Sequence, residues 1–145
     1  MKKTQTILIL ICLFLSNIAV ADDRMIGKLF LLKWPIQSGT GEVSIDATKV
    51  FFCDSATLVW NTELKEENVS SGLENYELSV IEPSIVQVTW KQQLSDRTEI
   101  VVATLNLFKW SVYGVTISSD EPRFAAGSIQ IEPDAEAAKL SKQCV

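Results

Sequence analysis

An alternation of apolar and polar residues with a period of two constrains this chain more than any other feature of its sequence. The alternation is clearest in residues 84–91, SIVQVTWK. One face of this segment carries Val86, Val88 and Trp90, and the other carries Ile85, Gln87 and Thr89. Successive side chains of a β-strand point to opposite faces of the sheet, so the segment is predicted to be a strand with one buried face.

The same alternation recurs along the chain between short polar breaks, which predicts about eight strands. The predicted strands occupy residues 27–34, part of 40–53, 55–61, 73–81, 84–91, 97–107, 109–118 and 128–132. The breaks include a charged loop at 63–72, a turn at 92–96 and a polar segment at 119–127. Only residues 133–143 have a helical composition, with Asp134 as the predicted N-cap.

Short connections between consecutive strands favour an all-β, antiparallel, up-and-down arrangement. Eight such strands can close into a barrel, which leaves no exposed sheet edge. A two-layer sandwich would use the same alternation, but an immunoglobulin-type sandwich places both of its cysteines on central strands. Cys144 lies beyond the last predicted strand. The sequence therefore favours an up-and-down barrel of about eight strands with a short C-terminal helix.

The first 21 residues have the organisation of a secretory signal peptide. Lys2 and Lys3 precede an apolar run at 7–15, and residues 19–21, Ala-Val-Ala, are small enough for a cleavage site. The run is shorter than the roughly 20 residues that a membrane-spanning helix needs. We predict a cleaved leader and a single mature domain, residues 22–145, in the periplasm or secreted from a bacterial cell, without a stable membrane anchor.

The cysteines fit an oxidising compartment. Cys12 leaves with the leader, so that the mature chain keeps only Cys53 and Cys144. A pair of cysteines in an exported protein usually forms a disulfide. A Cys53–Cys144 bond would close a loop of roughly 90 residues, for which the chain-entropy relation gives about 4–5 kcal/mol of stabilisation. The bond is predicted to hold the C-terminal tail against the body of the fold.

The charge of the mature chain limits its partners. Removal of the two leader lysines from the 13 basic residues leaves 11, against 18 acidic residues, which gives a net charge near −7. Nucleic acid requires a basic surface, so no nucleic-acid partner is predicted. An acidic protein suits a basic secreted protein instead, because opposite charge speeds their encounter.

Several kinds of catalytic chemistry lack the residues they require. The chain contains no histidine, which excludes Ser-His-Asp and Cys-His machinery and the usual histidine-bearing zinc site. It has neither a Walker-type loop nor a Gly-x-Gly-x-x-Gly sequence. We therefore predict no catalytic residue, no cofactor and no metal site.

Aromatic residues are the best candidates for a ligand site. The candidate cavity residues are Trp34, Trp60, Tyr76, Trp90, Trp110 and Tyr113. Tryptophans near strand ends can pack a core, or they can line the mouth of a small barrel, and the pattern leaves both alternatives open. Smaller residues predicted to face inward and leave room are Thr57, Ser79, Thr104 and Gly114.

Four stretches resemble calycin, or lipocalin-like, barrels, in particular the MoaF-like proteins and more distantly the phenolic acid decarboxylases. Residues 25–32, MIGKLFLL, resemble the opening strand of such barrels, and 55–61, SATLVWN, resemble their Thr-Leu-x-Trp strand. Residues 74–90 and 102–117 resemble their tyrosine strand and their later pair of strands. The resemblance implies an eight-stranded barrel with a central cavity.

The resemblance does not carry the activity of the decarboxylases. In those enzymes a tyrosine pair, an arginine and a glutamate act on a phenolic acid without a cofactor. Tyr76 and Tyr113 are the only tyrosines here, and neither aligns with that pair. Glu99 lies on a predicted strand, but the pattern does not assign it to the inner face.

Two functions fit these observations best, and a cofactor-free enzyme is a third alternative. The first is an exported barrel that binds a small apolar or aromatic ligand. The second is a protein–protein module, such as an inhibitor of a secreted hydrolase. Small barrels that inhibit lysozyme carry a Ser-Gly-x-x-Tyr stretch, and residues 71–76, SGLENY, have one residue more. A deep aromatic cavity would favour the first function, and a filled barrel with a protruding loop at 63–72 would favour the second.

Overall fold

The computed structural model describes residues 23–37, 43–63, 69–94, 97–118 and 122–145. These residues form eight strands and one helix. The strands are β1 (Leu29–Gln37), β2 (Val43–Phe52), β3 (Thr57–Glu63), β4 (Val69–Glu82), β5 (Ile85–Gln93), β6 (Thr98–Asn106), β7 (Ser111–Ile117) and β8 (Pro122–Ile131). The helix, α1, spans Asp134–Ser141. The predicted leader, residues 1–21, lies outside the described residues, and its cleavage stays a prediction.

The eight strands close into one antiparallel barrel in the order β1 to β8, each paired with its neighbours in sequence. This confirms the predicted all-β, up-and-down barrel. Closure is achieved by four residue pairs between β1 and β8, from Phe30 opposite Ile131 to Lys33 opposite Ser128. Residues 122–127 of β8 pair with β7 but have no strand partner on their other side within the described part of the chain.

Alternation along the strands divides inner from outer side chains. On β5, buried side chains alternate with more exposed ones, as the period-two pattern predicts. Val86, Val88 and Trp90 belong to the core inside the barrel. The core also includes Phe30, Leu32, Val50, Phe52, Leu58, Trp60, Tyr76, Leu78, Val101, Ala103, Leu105, Val112 and Ile129.

Two strands begin earlier than the sequence pattern indicates. β4 starts at Val69, within the predicted charged loop, because residues 69–75 pair with β3. β8 starts at Pro122, where a polar break is predicted, because residues 122–128 pair with β7. In both cases a neighbouring strand satisfies the backbone of a segment whose own residues are weak strand formers.

The C-terminal helix covers part of the outer barrel surface. Ala137 and Leu140 of α1 pack against outward-facing Leu29, Phe51 and Val59, which form a second apolar cluster. The N-cap position is occupied by Pro133, so the prediction of Asp134 as the N-cap is wrong; Asp134 is the first helical residue. Its carboxylate still lies where the positive end of the helix dipole favours negative charge.

The predicted disulfide joins this tail to the barrel. Cys53, which follows β2, is bonded to Cys144, which follows α1, with 5.7 Å between their Cα atoms. Both cysteines pack against the outer cluster beneath the helix. In the described ranges no helix is long and apolar enough to cross a membrane.

Candidate functional site

One end of the barrel is sealed by apolar and aromatic side chains. Met25 precedes β1 and is fully buried against the core. The rings of Phe30 and Phe52 meet edge to face at 5.7 Å between centroids, and Phe52 meets Tyr76 in the same way at 5.1 Å. Such contacts stabilise a core beyond the area they bury. We call this region the sealed end.

A hydrogen bond connects the sealed end to the turn after β2. The hydroxyl of Tyr76 donates to the backbone oxygen of Asp54 at 2.8 Å. Burial raises the pKa of Tyr76, and the nearby Asp54 carboxylate raises it further. The pKa of Asp54 is lowered by hydrogen bonds from the backbone amides of Ala56 and Thr57 and from the Thr57 side chain. Tyr76 is therefore a core residue with a structural partner.

The opposite end of the barrel interior is polar. Four buried polar side chains lie there, namely Thr48, Thr62, Gln92 and Glu99, and we call this region the polar end. The hydroxyls of Thr48 and Thr62 are hydrogen-bonded across β2 and β3 at 3.2 Å. On the other side of the barrel, Gln92 and Glu99 face each other across β5 and β6. The interior thus changes from apolar to polar along its length.

Glu99 is the charged centre of the polar end and is only 3% exposed. Its Oε1 accepts from Arg97 Nε at 2.7 Å and from Arg123 Nη2, and its Oε2 accepts from Gln92 Nε2 at 3.1 Å. A buried carboxylate needs such partners, because an uncompensated charge inside a protein is costly. The two guanidiniums are partly exposed, so this group joins the barrel interior to solvent.

Three polar atoms of inward-facing side chains have no hydrogen-bond partner among the described residues. They are Nε1 of Trp60, Nε1 of Trp90 and Oε1 of Gln92. All three residues point into the barrel, and each is buried. Leaving a buried donor or acceptor unpaired costs about 1–3 kcal/mol. The barrel interior therefore holds two unpaired donors and one unpaired acceptor. Trp60 Nε1 lies against Gly72, where a Cβ would be 2.9 Å from it.

Trp34 occupies space that small residues leave at the same end of the barrel. Ala103, Gly114 and Ala125 lie opposite one another on β6, β7 and β8 and face inward. The indole of Trp34 reaches across from β1 to Gly114, where a Cβ would lie 2.7 Å from Trp34 Cη2. Trp34 is only partly buried. The room that Gly114 provides is taken up by this indole.

The structure divides the predicted cavity residues into two groups. Trp34, Trp60, Tyr76 and Trp90 lie inside the barrel. Trp110 lies in the exposed turn between β6 and β7, and Tyr113 points outward from β7 with 61% of its side chain exposed. Neither of these two residues faces the interior. Tyr113 alternates with inward-facing Val112 and Gly114, so it falls on the outer side of the pleat. Trp110 precedes β7 in a turn, where its φ of 53° takes it out of the strand alternation.

Strand alternation also determines the orientation of the smaller residues that were predicted to face inward. Gly114 faces inward as predicted, whereas Thr57, Ser79 and Thr104 point outward, so their predicted inward orientation is wrong. Each alternates with a buried neighbour, Leu58, Leu78 or Leu105 respectively.

Sequence reasoning missed the polar residues that surround Glu99. Gln92 lies in a predicted turn but belongs to β5, and Arg123 lies in a predicted break but belongs to β8. The position of Glu99 in the sequence did indicate burial, since it lies on the same face of β6 as Val101, Ala103 and Leu105. No local sequence pattern predicts the contact between Arg123 and Glu99, because 24 residues separate them.

Two shallow grooves open on the outer surface. One, of about 580 Å³, is lined by Trp110 and residues 129–132. The other, of about 480 Å³, lies over β6, β7 and β8 and includes Tyr113 and Phe124 in its walls. Both lie outside the barrel interior.

Comparison with known proteins identifies a similar fold and no matching family. No protein-family model matches this chain, and no curated protein sequence matches it. Among solved structures, a similar one is the crystal structure of a "putative beta-lactamase" from Burkholderia vietnamiensis, with a TM-score of 0.59 and 14% sequence identity. The match covers 78% of this chain and 100% of the other. A likeness at this identity concerns the fold alone.

Proposed function

We propose that this protein is an exported, lipocalin-like barrel that binds a small apolar or aromatic molecule at the polar end of its interior. One observation carries the proposal: Trp60 Nε1, Trp90 Nε1 and Gln92 Oε1 are buried inside the barrel without a hydrogen-bond partner among the described residues. A ligand with both an acceptor and a donor would satisfy these groups and recover about 1–3 kcal/mol for each. The two indoles offer it an apolar aromatic surface.

Arg123 at the polar end favours an acidic group on that ligand. Its guanidinium contacts Glu99 through Nη2 and is 57% exposed, so it is within reach of a molecule that enters from solvent. Guanidinium groups bind carboxylates in a planar, two-point geometry. An aromatic or aliphatic acid is therefore a better candidate than a neutral or cationic molecule of the same size.

Trp34 is the residue that must move to admit a ligand. Its indole is partly exposed and packs against Gly114. A rotation of Trp34 away from Gly114 would open the space over Ala103 and Ala125 without changing the backbone of the barrel.

The test is a fluorescence titration of the mature, disulfide-bonded protein with aromatic acids, fatty acids and flavin-like compounds. Binding is expected to quench or shift tryptophan emission, and Trp60→Phe or Trp90→Phe should weaken binding because each removes one donor. Trp110→Phe is the matched control, since Trp110 lies in an exposed turn away from the polar end. If no compound changes the emission, or if Trp110→Phe has the same effect as the other two variants, the proposal fails.

Inhibition of a basic secreted hydrolase remains a second candidate because the chain is strongly acidic. The stretch 71–76 does not support it in the expected way, since these residues are part of β4 and the Tyr76 ring is buried. Residues 64–68, the rest of that predicted loop, lie outside the described residues. The test is a hydrolase assay with lysozyme as a representative basic enzyme, and unchanged activity at saturating protein would count against this function.

The activity named for the Burkholderia structure is not part of the proposal. Zinc-dependent hydrolysis usually relies on histidine ligands, and this chain has no histidine. A large class of serine β-lactamases uses a Ser-x-x-Lys sequence, which does not occur here either.

A further inference from the structure

Outward-facing side chains of β6, β7 and β8 form a patch of uncharged, mostly apolar residues in regular rows. Nine outward-facing residues form three rows across the three strands, as the strand register shows. The rows are Ile100, Ile117 and Pro122; Val102, Val115 and Phe124; and Thr104, Tyr113 and Ala126. We call these nine residues the β6–β8 face. None of them carries a charge.

Large side chains on this face are open to solvent. Phe124 is 77% exposed and Tyr113 is 61% exposed, and Ile100 and Ile117 are both exposed as well. The groove of about 480 Å³ runs between the Tyr113 and Phe124 side chains over Val102 and Val115. Contiguous apolar patches of this kind on a protein surface mark interaction sites.

We propose that a second copy of this chain docks on the β6–β8 face, so that the protein is a weak, two-fold symmetric dimer. In such a dimer the same patch meets itself. Phe124 of each copy would enter the groove beside Tyr113 of the other copy. The β6–β8 face thus presents both a projecting ring and a groove that can receive one. This inference is independent of ligand binding inside the barrel.

Charge selects a second copy over other protein partners. The mature chain is acidic, with a net charge near −7, so two copies repel each other wherever their charged surfaces approach. The β6–β8 face carries no charge and avoids that repulsion. A basic protein attracted by the overall charge would find no carboxylate on this face with which to pair. An uncharged apolar patch of the same shape is its best complement, and another copy provides one.

The size of the face sets the strength of the dimer. At the spacings of a β-sheet, three strands and three alternate residues cover roughly 15 by 20 Å. With side chains that project from the sheet, this corresponds to about 500 Å² of accessible surface per copy, or roughly 1,000 Å² in total, at the low end for specific interfaces. We expect a dissociation constant of roughly tens of micromolar.

The copies meet face to face and not edge to edge. Residues 122–127 of β8 have no strand partner on the β1 side within the described ranges, which leaves a possible pairing edge. Pro35 of β1 and Pro122 of β8 lie on the two strands at this seam. Proline removes a backbone donor and is a common means of preventing edge-to-edge pairing.

Sedimentation equilibrium of the mature protein tests the proposal over concentrations from roughly 1 µM to 1 mM, a range that brackets the expected constant. The mean mass should rise from monomer to dimer, and added salt should favour the dimer because it screens the repulsion between two acidic copies. Phe124→Lys, and independently Tyr113→Lys, should weaken dimerisation at least tenfold, because each places like charges near the two-fold axis. Both residues are exposed, so folding should be retained; circular dichroism checks this.

Phe108→Lys is the matched control. Phe108 is 79% exposed in the β6–β7 turn, outside the β6–β8 face, and its replacement should leave dimerisation unchanged. A wild-type protein that stays monomeric at all concentrations would overturn the proposal, as would dimerisation unaffected by both lysine variants. If the wild type stays monomeric but binds phosphatidylcholine vesicles in a Phe124-dependent way, the face docks on lipid and the dimer is excluded.

Discussion

The indole of Trp34 lies against the backbone of Gly114, 80 residues further along the chain, with no space between them for a side chain. A Cβ on residue 114 would be 2.7 Å from Cη2 and 2.8 Å from Cζ3 of Trp34. These distances are below normal van der Waals contact, so any larger residue at position 114 must displace the indole or the strand. Gly114 is thus required by packing and not by its backbone angles.

Replacement of Gly114 by valine is expected to destabilise the fold by about 1–3 kcal/mol, the usual cost of overpacking a core. The displaced Trp34 should become more exposed and shift its emission to longer wavelength. Urea unfolding and tryptophan fluorescence measure the two effects. Ser79→Val, at an exposed position of β4, is the control and should not lower stability. A stable variant with unchanged emission would contradict the packing described above.

Glu99→Gln is expected to reduce the free energy of unfolding by about 1–3 kcal/mol, because it removes the buried carboxylate that both Arg97 and Arg123 contact. The expected cost is below that of a fully buried pair because both guanidiniums are partly exposed. Urea unfolding gives the change. Glu77→Gln, on the exposed side of β4, should have no comparable effect. Equal losses for the two variants would mean that the Glu99 group contributes no specific stability.

Tyr76 should make the fold sensitive to alkaline pH. Burial, assisted by the Asp54 carboxylate, raises its pKa above the ordinary value of 10.0, so the folded state retains the phenol proton longer than the unfolded state. The resulting stabilisation is complete below pH 10 and is lost as the pH rises through the raised pKa.

Tyr76→Phe tests this prediction by removing the titrating group. The variant should lose about 0.5–1.5 kcal/mol near neutral pH, because the hydrogen bond to the Asp54 backbone oxygen is gone. Above pH 10 it should lose less additional stability than the wild type. Thermal unfolding between pH 7 and 11 measures both effects, and parallel pH profiles for the two proteins would rule out Tyr76 as the cause.

The Cys53–Cys144 bond should account for a large part of the stability. It spans a sequence separation of 91, for which the chain-entropy relation gives about 4–5 kcal/mol. The double variant Cys53→Ser, Cys144→Ser should lose approximately this amount in urea unfolding. Leu140→Ala, which weakens only the packing of α1 on the barrel, is expected to lose less. If reduction of the wild type leaves its unfolding curve unchanged, the bond does not stabilise the mature fold.

Local pattern was sufficient to predict the number and order of the strands and the architecture, although not the first residues of β4 and β8. Because a strand alternates with a period of two, Val86, Val88 and Trp90 could be assigned to one face before any partner strand was known. Short connections then implied an antiparallel barrel, and two cysteines in a chain with a predicted secretory leader implied their bond. Each of these conclusions depends on a few consecutive residues or on a count.

Only the closed barrel determines which face of each strand is buried. On β6 and β7 both faces are largely apolar: Val101, Ala103 and Val112 point inward, while Val102 and Val115 point outward. Alternation alone cannot say which of two apolar faces is buried, so Tyr113 was assigned to the cavity although it lies on the β6–β8 face.

The polar end likewise arises from contacts between distant strands. Arg123 on β8 reaches Glu99 on β6 across the end of β7, and Trp34 on β1 reaches Gly114 on β7 across β8. The barrel's closure and the register of each strand determine these contacts, and neither is encoded in the spacing of residues along a single strand. The sequence by itself determined the strands, their order and the disulfide; the tertiary structure decided which side chains meet inside the barrel, because those meetings depend on how eight tilted strands are aligned around a ring.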